Sequence, residues 1–419
     1  MRFTEYKLSL ITPTHGTPYL TELYISIKNQ TYDNWEWILL LNGDFKMANI
    51  PIDILDDIRV KIYEDNTGNS NIGYLKNKAF SFATGDIVVE MDHDDLILEN
   101  CLEELNKAYQ YEDVGFVWSD NIIYNMKNDF VPYNSACGWT YKMFDWNGKS
   151  MYCMDGFKHN SRSLAFIWYA PDHIRSWRKS VYDSIGGHDE TLSVLDDQDI
   201  MARTYLVTRF FHIEKPLYVY RVTGENTWIQ RNQSIQLGTH DIFKKYAYAL
   251  AERDADLSGL LKVDLGGGLF PRPGYITIDL EDADIVCDLN EGIPLPDNSV
   301  SVINAHHVLE HLKDPLKSMS EIHRVLADGG WAMIDVPSTD GRGAWMDPSH
   351  VSFWNENSFL YYTKKDQAQY IRNKTIRFQS FRCETHFPNQ WYKEKDIPVV
   401  TAWLVAIKND NRRPHPIEI

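Results

Sequence analysis

Apolar and polar positions along this chain change period repeatedly, and the changes predict its elements. Residues 7–11 read as a first strand ending at Thr12-Pro13-Thr14-His15-Gly16, and Leu20, Leu23, Tyr24 and Ile27 recur at helical spacing. Trp35 to Leu41 form a buried second strand closed by Asn42-Gly43, and residues 58–63 a third. A turn at 66–73 and a helix at 74–83 lead to the apolar run Ile87-Val88-Val89, which breaks off at Glu90-Met91-Asp92-His93-Asp94-Asp95. Strands alternating with helices imply a mostly parallel sheet with its ligand at the strands' carboxyl ends, so Thr12, Asn42, Asn66 and Asp92 should converge on one crevice. After a helical stretch at 241–253 and a connector at 254–259 the pattern restarts. Strands at 261–265, 275–279, 300–304, 331–336, 375–382 and 399–407 make a second α/β unit. The expected division is 1–255 and 256–419.

Two strand ends carry chemistry. Asp92, Asp94 and Asp95 crowd three carboxylates into four residues, which costs self-repulsion unless a cation sits among them. Hard oxygen donors suit Mg²⁺ or Mn²⁺, ions normally shared with phosphates, although an isolated Asp-x-Asp also describes a solvated acidic turn. In the second half, Gly266-Gly267-Gly268 follow the first strand and Asp279 ends the second. Glycines there admit a ligand beside the backbone and a strand-end carboxylate suits a ribose diol; a tight turn also explains a Gly triplet.

Length and composition narrow the class. With 419 residues, 43% hydrophobic and 13% aromatic, the chain has material for two globular domains. Five cysteines without paired metal spacing favour a reduced, cytoplasmic protein. Residues 1–7 lack a signal-peptide pattern, and no apolar run reaches the roughly 20 residues of a membrane span. The net charge is −17, with 25 basic against 37 acidic residues before Gly259 and 17 against 22 from there on. Both halves are acidic, which argues against an extended nucleic-acid surface.

An ordered series of motifs makes residues 8–230 resemble a family 2 glycosyltransferase of the GT-A fold. The series runs through Ile11-Thr12-Pro13-Thr14, Ser26-Ile27-x-Asn29-Gln30-Thr31-Tyr32, Gly73-x-x-Lys76-Asn77 and Asp92-His93-Asp94-Asp95. It continues with Ile185-Gly186-Gly187-His188-Asp189, Asp196-Asp197-x-Asp199 and Pro216-Leu217-Tyr218-x-Tyr220-Arg221. The resemblance implies sugar transfer from a nucleotide-diphosphate donor, with a UDP-sugar favoured, to a glycan or other hydroxyl acceptor, usually with inversion. It implies a metal on Asp92 and Asp94, a catalytic base at Asp197, and donor contacts from Thr12, Pro13, Thr14, Asn42, Lys76, Asn77, Asp92 and His93. Three positions depart from the pattern: Asn42 replaces a frequent Asp, His188 a frequent Phe, and Thr223 a His of the metal shell, for which His212 or a water could substitute.

Residues from 256 onward resemble a class I S-adenosylmethionine-dependent methyltransferase with a Rossmann-like fold. Val263-Asp264-Leu265-Gly266-Gly267-Gly268, Asp279, Asp288, His307-Val308-Leu309-Glu310-His311-Leu312 and Glu321-Ile322-x-Arg324-Val325-Leu326 carry the likeness. It implies S-adenosylmethionine held by Asp264, Gly266, Gly267, Gly268, Asp279 and Asp288, with His306 and His307 at the mouth as base or lining. Leu269-Phe270 in place of a third motif glycine should narrow the pocket. Asp347-Pro348-x-His350 with Phe353-Trp354 is either an acceptor site or a structural turn. Residues 131–177 match nothing, and their Trp139, Trp146, Trp168 and Trp177 are either a sugar platform or core. The whole reads as a bifunctional glycan-modifying enzyme. The alternatives are a glycosyltransferase whose second half is a non-catalytic acceptor-binding or dimerisation module, and a glycosyltransferase acting on a modified DNA base. The oligomeric state is not legible.

Overall fold

The computed structural model describes residues 3–125, 135–167, 171–224, 226–409 and 412–414. The chain divides into two compact units, Met1–Tyr246 and Ala247–Ile419. This division and the expected one at 255/256 both fall within a single helix, Asn232–Ser258. The stretch expected as a connector from 254 is therefore helical to Ser258, and Gly259 (φ +70°) ends it in the left-handed conformation typical of helix termini.

In the first unit the strands are β1 (Leu8–Thr14), β2 (Trp35–Leu41), β3 (Val60–Glu64), β4 (Ile87–Glu90), β5 (Leu96–Ile97), β6 (Val114–Asn125), β7 (Tyr141–Trp146), β8 (Lys149–Met154), β9 (Arg175–Arg178) and β10 (Arg209–Val222). They form one mixed sheet in the order β3-β2-β1-β4-β9-β6-β10-β5, with β8 also pairing β6 and β7. The first four are parallel, whereas β9 runs antiparallel to β4 and β6. β2 and β4 are buried along their whole length, which is why they read as continuous apolar runs and not as alternation. The helix Leu20–Lys28 turns Leu20, Leu23, Tyr24 and Ile27 into the same core. The helix expected at 74–83 starts earlier, at Ile72, because the Asn71 side chain caps it by accepting from the Gly73 N–H.

The stretch left unassigned contains a hairpin, β7–β8, turning at Asn147-Gly148 with both residues at positive φ (53° and 73°). Asn-Gly between two strands is a strong hairpin signal, so this element was readable. Trp139 and Trp177 are buried core residues, Trp177 packing on Phe116, Phe80 and Tyr182. Trp146 is half-buried against Tyr124, and Trp168 lies outside the described residues.

In the second unit β11 (Leu261–Leu265), β12 (Ile276–Asp279), β13 (Ile285–Val286), β14 (Val300–His306), β15 (Leu326–Pro337), β16 (Phe378–His386) and β17 (Val399–Ala406) order as β13-β12-β11-β14-β15-β17-β16. The first five are parallel and β17 is antiparallel to both its neighbours. Among the described residues no helix is long and apolar enough to cross a membrane.

Candidate functional site

In the first unit the strand order reverses between β1 and β4, where open α/β sheets leave a ligand crevice. Thr14 ends β1, and Asp92, His93 and Asp94 follow β4 directly. Thr14 Oγ1 and His93 Nδ1 lie 2.8 Å apart. Burial, and next the neighbouring His15, pushes His93 down to about 4, so the ring is neutral. Thr12 sits one pleat back, where its buried hydroxyl accepts from the Trp37 indole N–H (2.9 Å). Asn42 is buried beyond the end of β2, its backbone N–H on Thr14 O.

The acidic tip is held by its own segment's polar partners. Asp95 is buried and accepts from the Tyr218 hydroxyl (2.8 Å) and the Arg221 N–H (2.7 Å), while the Arg221 guanidinium donates to Asp94 O and to Glu22. Tyr218 and Arg221 belong to the late motif of the series, so two distant stretches build one loop. Asp92 stays 39% exposed. Burial, and then the charge on Asp92, pushes the Asp94 carboxyl up to about 6. A carboxyl raised chiefly by burial, beside a second carboxylate, fits a site made for a cation, and the donors are hard oxygens suited to Mg²⁺ or Mn²⁺.

Glu90, the last residue of β4, is buried and is joined through Lys76 and Arg175 to Asp196 and Asp197. Lys76 Nζ lies 2.6 Å from Glu90 and 2.9 Å from Asp196. Arg175 lies 3.7 Å from Glu90 and 3.2 Å from Asp197. Burial opposes the Lys76 charge, yet Asp196 and Glu90 outweigh it and hold the ammonium well above its ordinary range. Asp197 is raised by burial against the pull of Arg175. Lys76 is therefore held within an ion-pair network, whereas Asn77 turns outward and donates to Glu190 (2.7 Å). His173 completes the cluster: its Nε2 is 3.4 Å from Asp92, and its ring stacks on Tyr218.

Glu90, His173 and Arg175 are absent from the sequence-derived candidates. A charge closing the run Ile87-Val88-Val89 was a usable signal for Glu90; His173 and Arg175 lie in the unassigned stretch. His212 instead binds Asp120 (2.8 Å) and stacks on Trp118. His188 is buried with its Nδ1 2.8 Å from the Tyr182 hydroxyl.

The second unit repeats the topological reversal, between β11 and β14. Gly266 is at φ +73°, and a Cβ there would lie 2.8 Å from Val308 Cβ. The Gly268 N–H donates to Asp279 Oδ2 (2.9 Å), and Leu280 N–H to Asp279 Oδ1 (2.7 Å), which fixes the carboxylate at the end of β12. A Cβ on Gly267 or Gly268 would press on Asp264 or Asp279. Asp264 is buried as a brace, accepting from Asn304 Nδ2 (2.6 Å) and Arg272 N–H (2.8 Å). Asp288 is exposed and accepts from Asn290. Leu269 and Phe270 are 81% and 89% exposed, so they do not narrow the pocket as expected; the Arg272–Asp264 bond draws the loop back behind them. His306 lies 3.0 Å from the Tyr248 hydroxyl and 3.4 Å from Asp335.

Part of each unit is similar to proteins of a known family. Residues 9–166 match the model described as "Glycosyl transferase family 2", and residues 272–334 that described as "Methyltransferase domain". Glycosyltransferase GlyG of Streptococcus pneumoniae serotype 4 is 26% identical over 219 residues, covering 51% of this chain and 70% of that protein. The Escherichia coli protein named UDP-Glc:alpha-D-GlcNAc-diphosphoundecaprenol beta-1,3-glucosyltransferase WfgD is 27% identical over 29% of this chain and 48% of its own. A probable S-adenosylmethionine-dependent methyltransferase of Mycolicibacterium smegmatis is 28% identical over 30% of this chain and 53% of its own. The chain thus spans about half the length of two of these relatives. Residues 9–166 thus carry a match to the family 2 glycosyltransferases and residues 272–334 one to methyltransferase domains.

Proposed function

We propose that the chain is a bifunctional glycan-modifying enzyme. It transfers a sugar with inversion from a nucleotide-diphosphate donor, a UDP-sugar by preference, to an acceptor hydroxyl, and its second unit methylates a glycan from S-adenosylmethionine. The observation that carries the reading is the Glu90 node. One buried ion-pair network ties Glu90, two residues before Asp92 at the sheet's switch point, to Asp197 at the start of the helix Asp196–Val207.

The roles follow from the residue environments. Asp92 and Asp94 would hold Mn²⁺ or Mg²⁺, which supplies Lewis-acid stabilisation of the departing diphosphate. Thr14, His93 and Asn42 line the nucleoside end, Pro13 and the backbone of Thr12 shape it, and Lys76 supports the donor side, while Asn77, bonded to Glu190, takes no direct part. Asp197 takes the acceptor proton. Burial raises its basicity toward that task, while Arg175 fixes its orientation. In the second unit Asp279 would accept from a ribose diol beside Gly266, Gly267 and Gly268, with Asp264 bracing the loop and Asp288 toward the adenine end.

The alternative, a non-catalytic second unit, draws support from one observation: the glycines and Asp264 are all accounted for by packing within the protein. The test of the glycosyltransferase reading separates two variants. Asp197→Asn should abolish transfer and leave nucleotide binding near the native value, whereas Asp94→Asn should weaken metal-dependent donor binding as well. Parallel loss of binding and turnover in Asp197→Asn would refute the base assignment.

A further inference from the structure

We infer that Glu310, His311 and His350 form a binding site for a first-row divalent transition ion in the methyltransferase-like unit, separate from the acidic tip of the first unit. One donor atom from each lies within 4.8 Å of the other two, and no other such trio occurs among the described residues. Glu310 and His311 sit on the short turn Leu309–His311 after β14, and His350 comes from a loop 39 residues further on. Tertiary folding brings them together.

The Glu310 carboxylate supplies an independent pointer to a ligand. The residue is 2% exposed, and both side-chain oxygens are buried without a hydrogen-bond partner. His307 Nδ1 stands 3.4 Å from Oε1 as an ion-pair neighbour, and Glu310 in turn raises the His307 pKa, whereas Oε2 has no hydrogen-bond partner among the described residues. A buried carboxylate oxygen left without a hydrogen-bond partner is costly, and such groups are normally paired or bound to metal. Its position is fixed from behind, since Glu310 O accepts from the Val351 and Ser352 N–H groups (2.8 and 3.0 Å).

The two histidines are oriented as metal ligands usually are. His350 Nδ1 faces Ala344 O at 3.0 Å, and His311 Nδ1 faces Ser349 O at 3.3 Å and Ser349 Oγ at 3.2 Å. A ring that donates Nδ1–H to a backbone carbonyl keeps its Nε2 lone pair for a metal. Asp347 Oδ2, 4.0 Å from His350 Nε2, is a candidate fourth donor. Two imidazoles and a carboxylate suit Zn²⁺, Mn²⁺ or Fe²⁺ better than the all-oxygen set of Asp92 and Asp94, and three protein ligands leave a position open.

The test is calorimetry with ZnCl₂, and MnCl₂ in parallel, on the untagged full chain after chelation and desalting, in an Asp94→Asn background that removes the first unit's site. The expected result is one bound Zn²⁺ per chain and a metal-dependent rise in melting temperature. Adding His350→Ala or His311→Ala should weaken binding at least tenfold and abolish that rise. Glu310→Gln, which keeps the side-chain shape, should do the same while melting cooperatively without metal. Absence of Zn²⁺ binding in the Asp94→Asn chain would overturn the inference. So would affinity unchanged by the three substitutions, which would assign the ion to adventitious surface groups.

Discussion

His188 stands where relatives in this motif often carry Phe, and its surroundings give the substitution a measurable cost. Burial, and then the charge on Lys76, push its pKa down to about 4, and its Nε2 has no hydrogen-bond partner, with Asp196 3.8 Å away. The unfolded chain protonates this ring near the ordinary value of about 6.5, the folded chain only near 4. As pH falls through that window the unfolded state binds the proton first. The neutral His contributes fully above about 6.5, and its contribution is lost on the way down to about 4. His188→Phe should therefore flatten part of the decline in melting temperature between those values. An unaltered acid slope would show that the ring titrates freely in the folded chain.

At the scale of elements, the loop after β4 depends on residues some 125 positions later. Arg221 is 1% exposed, donates to Asp94 O and Glu22, and stacks 4.1 Å from the Tyr19 ring centroid. Arg221→Ala should cost on the order of 3 kcal/mol in denaturant unfolding and lower donor affinity, because the acidic tip loses its brace. Stability within 0.5 kcal/mol of native, on the order of a neutral surface change, would contradict this. In the second unit Gly266→Ala should destabilise the fold by the cost of a left-handed Cβ, about 1–2 kcal/mol, plus the clash with Val308, and so lower the melting temperature with or without S-adenosylmethionine. A native-like melt would show that the loop relaxes. The parallel strands β1 to β4 of the first unit, their ends and the acids upon them were legible in the sequence because buried parallel strands are locally apolar and stop abruptly, whereas β5 to β10 were not read as strands. His173 and Arg175 were not, because what defines them is packing against Asp92, Glu90 and Asp197 from a stretch without periodicity. The brace role of Asp264 was hidden for the same reason: its partners Asn304 and Arg272 meet it only in the folded sheet.

For the whole molecule, each unit has a switch point in its own sheet, and the two proposed activities should be separable. Asp279→Ala in the full chain should weaken S-adenosylmethionine about tenfold or more, as loss of a charged hydrogen-bond partner implies, and leave nucleotide-sugar turnover unchanged. If the native chain binds S-adenosylmethionine only at millimolar levels, the non-catalytic module becomes the better reading. The most direct test of the central claim is nucleotide release from a panel of UDP- and GDP-sugars by the native chain, with Mn²⁺ and with excess EDTA. The account predicts slow release from at least one UDP-sugar that requires the metal and disappears in Asp94→Asn. Release that persists undiminished in EDTA, or in Asp94→Asn, would contradict it.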